Sequence, residues 1–207
     1  MRRLLFLAAV LVLPVALFAQ DKPDALELYR GGNYLDAIRV CQGTIAEAPK
    51  DLDAWVVLGW SQLKLKRYAE ALDSATKAEE FSPHEPRLVQ IEGEAQYYLG
   101  RIDAALVRLE EYVRLLPSGD RIARVYWLMG ECYISLRQYQ NADIALSTAL
   151  YHEQGNAAWW TRLGYARELA GTFKQSQQAY VRAMQLDPSL IDAVRGKERV
   201  DKKLGGG

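Results

Sequence analysis

Cysteine and histidine are scarce in this chain, which has two residues of each among 207. Neither pair forms a cluster at the spacings that bind zinc, so no metal site is predicted. The sequence contains no Gly-x-x-x-x-Gly-Lys loop to cradle a phosphate and no serine in a nucleophile-elbow context. We therefore expect that the chain is not an enzyme and has no cofactor.

An excess of charge of one sign is also missing. The chain has 26 Lys and Arg residues against 26 Asp and Glu residues, for a formal net charge of zero. A protein without a basic excess is a poor candidate for binding a phosphate backbone, so no nucleic-acid partner is expected. No stretch alternates apolar and polar residues with period two, which argues against a β-sheet.

The longest apolar run lies at the N-terminus. Arg2 and Arg3 precede the apolar stretch 4–18, and the small residue Ala19 follows it. This pattern is typical of a secretory signal peptide, which we expect to comprise residues 1–19 and to be removed on export to the periplasm or the medium. The alternative is an uncleaved inner-membrane anchor. The run is short for a span of about 20 residues and contains Pro14.

Residues 52–85 have the pattern of two amphipathic helices that are joined by a polar turn at Lys66 and closed by Pro83. Gly59 and Ala71 remove side-chain bulk where the two helices are expected to approach closely. One such hairpin is too small to bury its own apolar faces. It needs similar hairpins on both sides.

The small residues of this hairpin recur along the chain. From Gly59, steps of 34, 37 and 34 residues lead to Gly93, Gly130 and Gly164, and the same steps from Ala71 lead to Ala105, Ala142 and Ser176. A period of 34 with this pattern of Trp, Leu-Gly, Tyr, Ala and Pro resembles the tetratricopeptide repeat (TPR) family. The resemblance covers roughly residues 22–188. It implies an all-α, right-handed α-solenoid of about five TPR helical hairpins plus a C-terminal capping helix.

The expected organisation follows from this register. After the signal peptide, the repeats are predicted at about 20–51, 52–85, 86–119, 120–156 and 157–189, followed by a capping helix at 190–204 and a disordered tail at 205–207. Three additional residues, 118–120, lengthen one turn between repeats and should change the pitch of the stack there.

One departure from the repeat pattern and the two cysteines concern the core. Glu92 stands where other units have Leu58 or Leu163, so we expect neighbouring aliphatic residues to supply the packing of the third unit. Cys41 and Cys132 lie in helices separated by two whole hairpins. They are too far apart for a disulfide and are expected to be buried free thiols.

The first helix of each unit has a second stripe of residues that the hairpin core does not explain. In TPR proteins the first helices line the concave side of the superhelix, where a peptide usually binds, so the resemblance implies a partner-binding groove. The residues of this predicted groove are Val56, Trp60, Leu63, Gln90, Glu94, Tyr97, Tyr98, Trp127, Glu131, Ile134, Thr161 and Tyr165.

We expect four of these rings, Trp60, Tyr97, Trp127 and Tyr165, to face the groove. The alternative is that they pack between neighbouring first helices. The two carboxylates of the groove, Glu94 and Glu131, would favour a ligand with a basic residue. Trp159 is expected either on the convex side or in a contact between units.

The function implied by the resemblance is that of an exported, non-enzymatic adaptor or scaffold. It would bind a partner polypeptide through the concave groove and act in cell-envelope assembly or secretion. Two alternatives stay open. The aromatic face could be covered by a second copy of the chain in a homo-oligomer, or it could stack on sugar rings in a glycan-binding module. A membrane is expected to be involved only through an uncleaved signal anchor.

Overall fold

A computed structural model describes residues 24–206, so the predicted signal peptide and Gly207 lie outside the described residues. This part of the chain contains eleven α-helices and no strand, in agreement with the predicted all-α class. The helices are α1 (Ala25–Arg30), α2 (Tyr34–Glu47), α3 (Leu52–Lys64), α4 (Tyr68–Glu79), α5 (Pro86–Tyr98), α6 (Ile102–Leu115), α7 (Ile122–Ser135), α8 (Tyr139–His152), α9 (Ala157–Leu169), α10 (Phe173–Leu186) and α11 (Ile191–Gly205).

The helices form five successive hairpins, from α1–α2 to α9–α10, and α11 packs on the last one. First helices of neighbouring hairpins also touch, since contacts join α1 to α3, α3 to α5 and α5 to α7. The last first helix, α9, contacts α11 in the same way. Within residues 24–206, second helices of neighbouring hairpins make fewer such contacts, so the first helices lie on the inner side of a curved stack. The chain is an α-solenoid, as predicted.

Short polar residues, a proline and glycines fix several of the helix ends. The side chains of Asp51 and Asn156 accept hydrogen bonds from backbone N–H groups in the first turns of α3 and α9. Pro86 begins α5, where its missing N–H is not needed. The turns inside the third and fifth hairpins contain Gly100 and Gly171, with φ values of 75° and 78°. This left-handed conformation is easiest for glycine.

The third, fourth and fifth hairpins each close where a glycine faces a large side chain. A Cβ atom on Gly130 would lie 2.5 Å from the Cγ atom of Leu146, and one on Gly164 would lie 2.8 Å from the ring of Tyr180. In the second hairpin the place of Leu146 is taken by the small Ala75, and Ile91 of the next unit fills the space beside Gly59. The close approach within a hairpin that the glycines predict is therefore present at Gly93, Gly130 and Gly164, whereas Gly59 faces the next unit.

Glu92 is buried in the third unit and has a partner that the sequence analysis did not identify. Its carboxylate accepts a hydrogen bond of 2.5 Å from the Nε atom of Arg108 on α6. Arg108 also binds Glu79 of α4 and Glu111 of α6. Burial raises the pKa of Glu92, and the bonds from Arg108 act in the opposite direction. An ionic cluster, as well as the neighbouring aliphatic residues, thus occupies this part of the core.

The C-terminal helix covers the end of the stack with Ala193 and Val200, which are both fully buried. It ends at Gly205, one residue beyond the predicted end of the capping helix, so the predicted tail at 205–207 begins on the last residue of α11. Cys41 and Cys132 are buried free thiols, as predicted. Burial raises the pKa of Cys41 to about 11 and that of Cys132 to about 12.

The close approach at Gly130 predicts the effect of a single added methyl group. We expect Gly130→Ala to lower the free energy of unfolding by about 1–2 kcal/mol, because displacement of Leu146 outweighs the gain in helix propensity. The matched control is Gly43→Ala on α2, where nothing lies within 4 Å of the added atom. This change should stabilise the protein by about 0.5–1 kcal/mol. Urea denaturation measures both, and equal effects would contradict the packing described here.

Candidate functional site

The structure divides the predicted groove residues into two groups. Val56 and Gln90 have no exposed surface, and Glu94, Glu131 and Thr161 keep less than a tenth of theirs. The remaining seven retain part of their surface, with Tyr98 the most open at 38%. These seven residues are Trp60, Leu63, Tyr97, Tyr98, Trp127, Ile134 and Tyr165. The four rings expected to face the groove are therefore partly, and not fully, covered by their neighbours.

Trp127 mainly joins two units. Its ring stacks on the ring of Trp159 in the next first helix, with centroids 6.0 Å apart and planes 15° apart. The ring of Tyr97 lies edge-on to that of Trp127, with centroids 6.4 Å apart. Trp159 is buried in the contact between the fourth and fifth units, one of the two positions expected for it. The indole of Trp127 thus contributes more to packing between repeats than to an open surface.

Trp60 lies under a cation from a distant part of the chain. The guanidinium of Arg121 is 4.0 Å from the centroid of its ring. Arg121 also donates a hydrogen bond of 3.3 Å to the hydroxyl of Tyr29 on α1. The indole N–H of Trp60 donates to the Oε1 atom of Gln90 at 3.0 Å. Sequence analysis missed both Tyr29 and Arg121. The lengthened turn at 118–120, directly before Arg121, was the available signal.

The two carboxylates of the predicted groove are neutralised inside the protein. Glu94 accepts a hydrogen bond of 2.8 Å from Arg124, and Glu131 accepts two of 2.7 Å from Arg162. Each arginine comes from the following unit and also lies over a ring, Arg124 over Trp127 and Arg162 over Tyr165. The prediction that Glu94 and Glu131 select a basic ligand is wrong, because both charges already have partners.

The most exposed ring of the set is held in a fixed position. Tyr98 stacks on Tyr68 with centroids 4.5 Å apart, and its hydroxyl accepts a hydrogen bond of 2.6 Å from Arg124. The neighbouring Tyr97 is more enclosed. Burial, together with the charge of Glu131, raises the pKa of Tyr97 to about 12. Its hydroxyl therefore stays protonated at neutral pH.

These side chains enclose a cavity of about 520 Å³ on the inner side of the stack. We call it the inner cavity and define it by the rings of Tyr29, Trp60, Tyr68 and Tyr98 in its wall. Four of the predicted groove residues line it, namely Trp60, Leu63, Glu94 and Tyr98. Two others, Thr161 and Tyr165, line a separate cavity of about 270 Å³ beside α11. Of the twelve predicted residues, four thus line the inner cavity, two line the cavity beside α11, and six line neither.

The described part of the chain offers neither a membrane span nor a metal site. No helix between residues 24 and 206 combines the length and the apolar character needed to cross a bilayer. Within the same residues, no three side chains of His, Cys, Asp or Glu are grouped so that they would hold a metal ion.

Comparison with known sequences gives matches along much of the chain. Family models described as tetratricopeptide repeat match residues 24–86 and 123–154. Superkiller complex protein 3 of Mus musculus is 26% identical over 133 residues, which make up 64% of this chain and 8% of that protein. The chain thus spans less than a tenth of the length of this curated relative.

Several solved structures share the fold at low sequence identity. PilW, described as a widely conserved type IV pilus biogenesis factor, has a TM-score of 0.73 and 20% identity over 87% of this chain and 83% of its own. YrrB, described as a TPR protein with an unusual peptide-binding site, has a TM-score of 0.68 and 17% identity over 84% and 88%. A MamA fragment from Desulfovibrio magneticus RS-1 has a TM-score of 0.68 and 20% identity over 81% and 93%.

The ion pair between Glu131 and Arg162 yields a prediction for stability. We expect Arg162→Met to lower the free energy of unfolding by about 2 kcal/mol, since Glu131 would stay buried without its partner. The double change Glu131→Gln and Arg162→Met should cost less than the single one. Arg39→Met serves as the control. Its pair with Asp36 is exposed to solvent, so the expected effect is about 0–1 kcal/mol. Thermal and urea denaturation of the parent chain and the three variants measures these effects. If the double variant were the least stable of the four proteins, the ion pair between Glu131 and Arg162 would be contradicted.

Proposed function

Because the chain belongs to the tetratricopeptide repeat family, we propose that it is a non-enzymatic adaptor that binds a segment of a partner polypeptide in the inner cavity. The observation that carries this proposal is the cavity itself. It lies between first helices, is lined by four aromatic rings, and is about 520 Å³ in volume. This volume falls within the range of about 300–1,000 Å³ that is typical of ligand-binding cavities, and the wall combines the rings with six charged side chains.

The aromatic wall supplies binding free energy that folding has not used. Tyr98 is 38% exposed. Since a buried aromatic side chain covers about 150–250 Å², complete burial of this ring by a partner would contribute about 2 kcal/mol at 25 cal/mol per Å². Tyr68 behind it and Arg124 at its hydroxyl hold the ring in place, so little conformational entropy would be lost when a ligand binds.

We further propose that the chain is exported and acts in cell-envelope assembly or secretion. The signal-like segment at residues 1–19 supports export. The likeness to PilW, described as a type IV pilus biogenesis factor, supports a role in the envelope. The likeness to YrrB, described as having a peptide-binding site, supports a polypeptide as the ligand.

Photo-crosslinking from the cavity wall tests the binding proposal. A photo-reactive phenylalanine derivative replaces Tyr98, and the chain is irradiated in an envelope extract. We expect a covalent adduct with a polypeptide other than the chain itself, because a ligand in the cavity would lie against this ring. The matched control carries the same derivative at Tyr151 of α8, which is 76% exposed but does not line the inner cavity. Mass spectrometry of the adducts identifies what is bound.

Three results would contradict the proposal. Equal adducts from Tyr98 and Tyr151 would mean that the cavity has no special affinity for a polypeptide. Adducts formed only between two copies of the chain would favour the homo-oligomer. Loss of the adduct on addition of soluble cell-wall oligosaccharide would favour the glycan-binding module.

A further inference from the structure

The charges around the inner cavity are unequal. Glu94 is paired with Arg124, and these two charges cancel. The wall has three other cations, Lys64, Lys66 and Arg121, and none of them forms an ion pair among residues 24–206. Asp120 is the one other carboxylate of these residues that lines the cavity. Three unpaired cations thus face one carboxylate. A chain of zero formal net charge has an electropositive surface at this place.

Before any ligand binds, contacts hold the guanidinium of Arg121 in position, and the backbone that carries Lys66 is fixed. Arg121 lies between the ring of Trp60 and the hydroxyl of Tyr29, and most of its guanidinium N–H groups stay free to donate. Lys66 occupies the turn between α3 and α4 with φ of 59°, and its backbone N–H donates to the carbonyl of Leu63 at 3.0 Å. A ligand would therefore meet charges whose attachment points are already fixed.

The cations come from three different elements. Lys64 is the last residue of α3, Lys66 lies in the following turn, and Arg121 lies in the lengthened turn before α7. The rings of Tyr68 and Tyr98 stand within the same wall. Positive charges distributed around a cavity can pair with several carboxylates of one polypeptide segment, and the rings can pack against an apolar side chain of the same segment. One isolated anion would reach fewer of these groups.

We propose that the polypeptide segment bound in the inner cavity is acidic. Its side-chain carboxylates pair with Lys64, Lys66 and Arg121, while an aromatic or aliphatic side chain of the same segment packs on Tyr98. The binding needs no free C-terminal carboxylate. This inference rests on the proposed function, because it names the chemistry of the ligand for the same cavity. It replaces the basic ligand that the sequence analysis expected.

Selection from an unbiased library tests the charge of the ligand. Random dodecapeptides, displayed as internal segments on phage and therefore without a free C-terminus, are selected on the full chain. We expect the recovered peptides to be enriched in Asp and Glu and depleted in Lys and Arg relative to the input. A selected peptide, synthesised with an amidated C-terminus and a fluorescent label, is then titrated at low and high salt. Its affinity should fall as salt screens the charges.

Charge reversal identifies the cations that bind this peptide. The variant Lys64→Glu, Lys66→Glu should weaken binding by about ten-fold or more, because each reversal replaces attraction by repulsion near the ligand. The matched control is Lys50→Glu, Lys174→Glu, which makes the same change of net charge at exposed sites outside the cavity. Circular dichroism checks that both variants fold like the parent chain.

The outcomes separate this inference from the proposed function. Enrichment of basic or neutral peptides that crosslink to position 98 would overturn the acidic ligand and leave the adaptor proposal standing. Failure to select any sequence would overturn both. Equal weakening by the two charge-reversal variants would place the acidic peptide outside the inner cavity and so contradict the inference. Binding only when the peptide has a free C-terminus would also contradict it.

Discussion

The structure depends on the close approach of helices at small residues. Gly93, Gly130 and Gly164 each bring a first helix against a large side chain of its partner helix. First helices of neighbouring units also contact one another, and a side chain between them has little room. It is either buried, as are Val56 and Gln90, or must reach across to the next unit. The arrangement of the inner surface follows from this constraint.

Crowding explains why carboxylates on the inner side require partners. A buried carboxylate is costly unless it is paired and hydrogen-bonded. Glu94 and Glu131 occur at the same place in successive repeats, and in each case an arginine of the following unit supplies the bonds. The ion pairs thus connect units as well as satisfying the acids. A ligand can therefore pair only with the charged side chains that have no such partner. Around the inner cavity these side chains are mainly cations.

Much of the fold could be predicted because the repeat places small residues at a regular interval, and the constraint they impose is local. Contacts across repeats were harder to predict. Glu92 pairs with Arg108. The positions that match Arg108 in the second, fourth and fifth units are Ser74, Ala145 and Ala179. An acid and a base that appear together in one repeat only could therefore have predicted this ion pair. The lengthened turn at 118–120 marked the place of Arg121 but not its contact with Tyr29, which depends on the curvature of the stack from the first unit to the fourth. Burial of individual groove residues depends on the same curvature.

The central claim is that the inner cavity is electropositive although the chain as a whole is not. Solvent paramagnetic relaxation of backbone amide protons, measured with one cationic and one anionic nitroxide of equal size, reports the sign of the potential residue by residue. We expect the anionic probe to relax the amides of Lys64, Lys66 and Arg121 more strongly than the cationic probe, and this preference should be absent along exposed parts of α8, which has no Lys or Arg. Equal relaxation by the two probes around the cavity, or stronger relaxation by the cationic probe, would contradict the account.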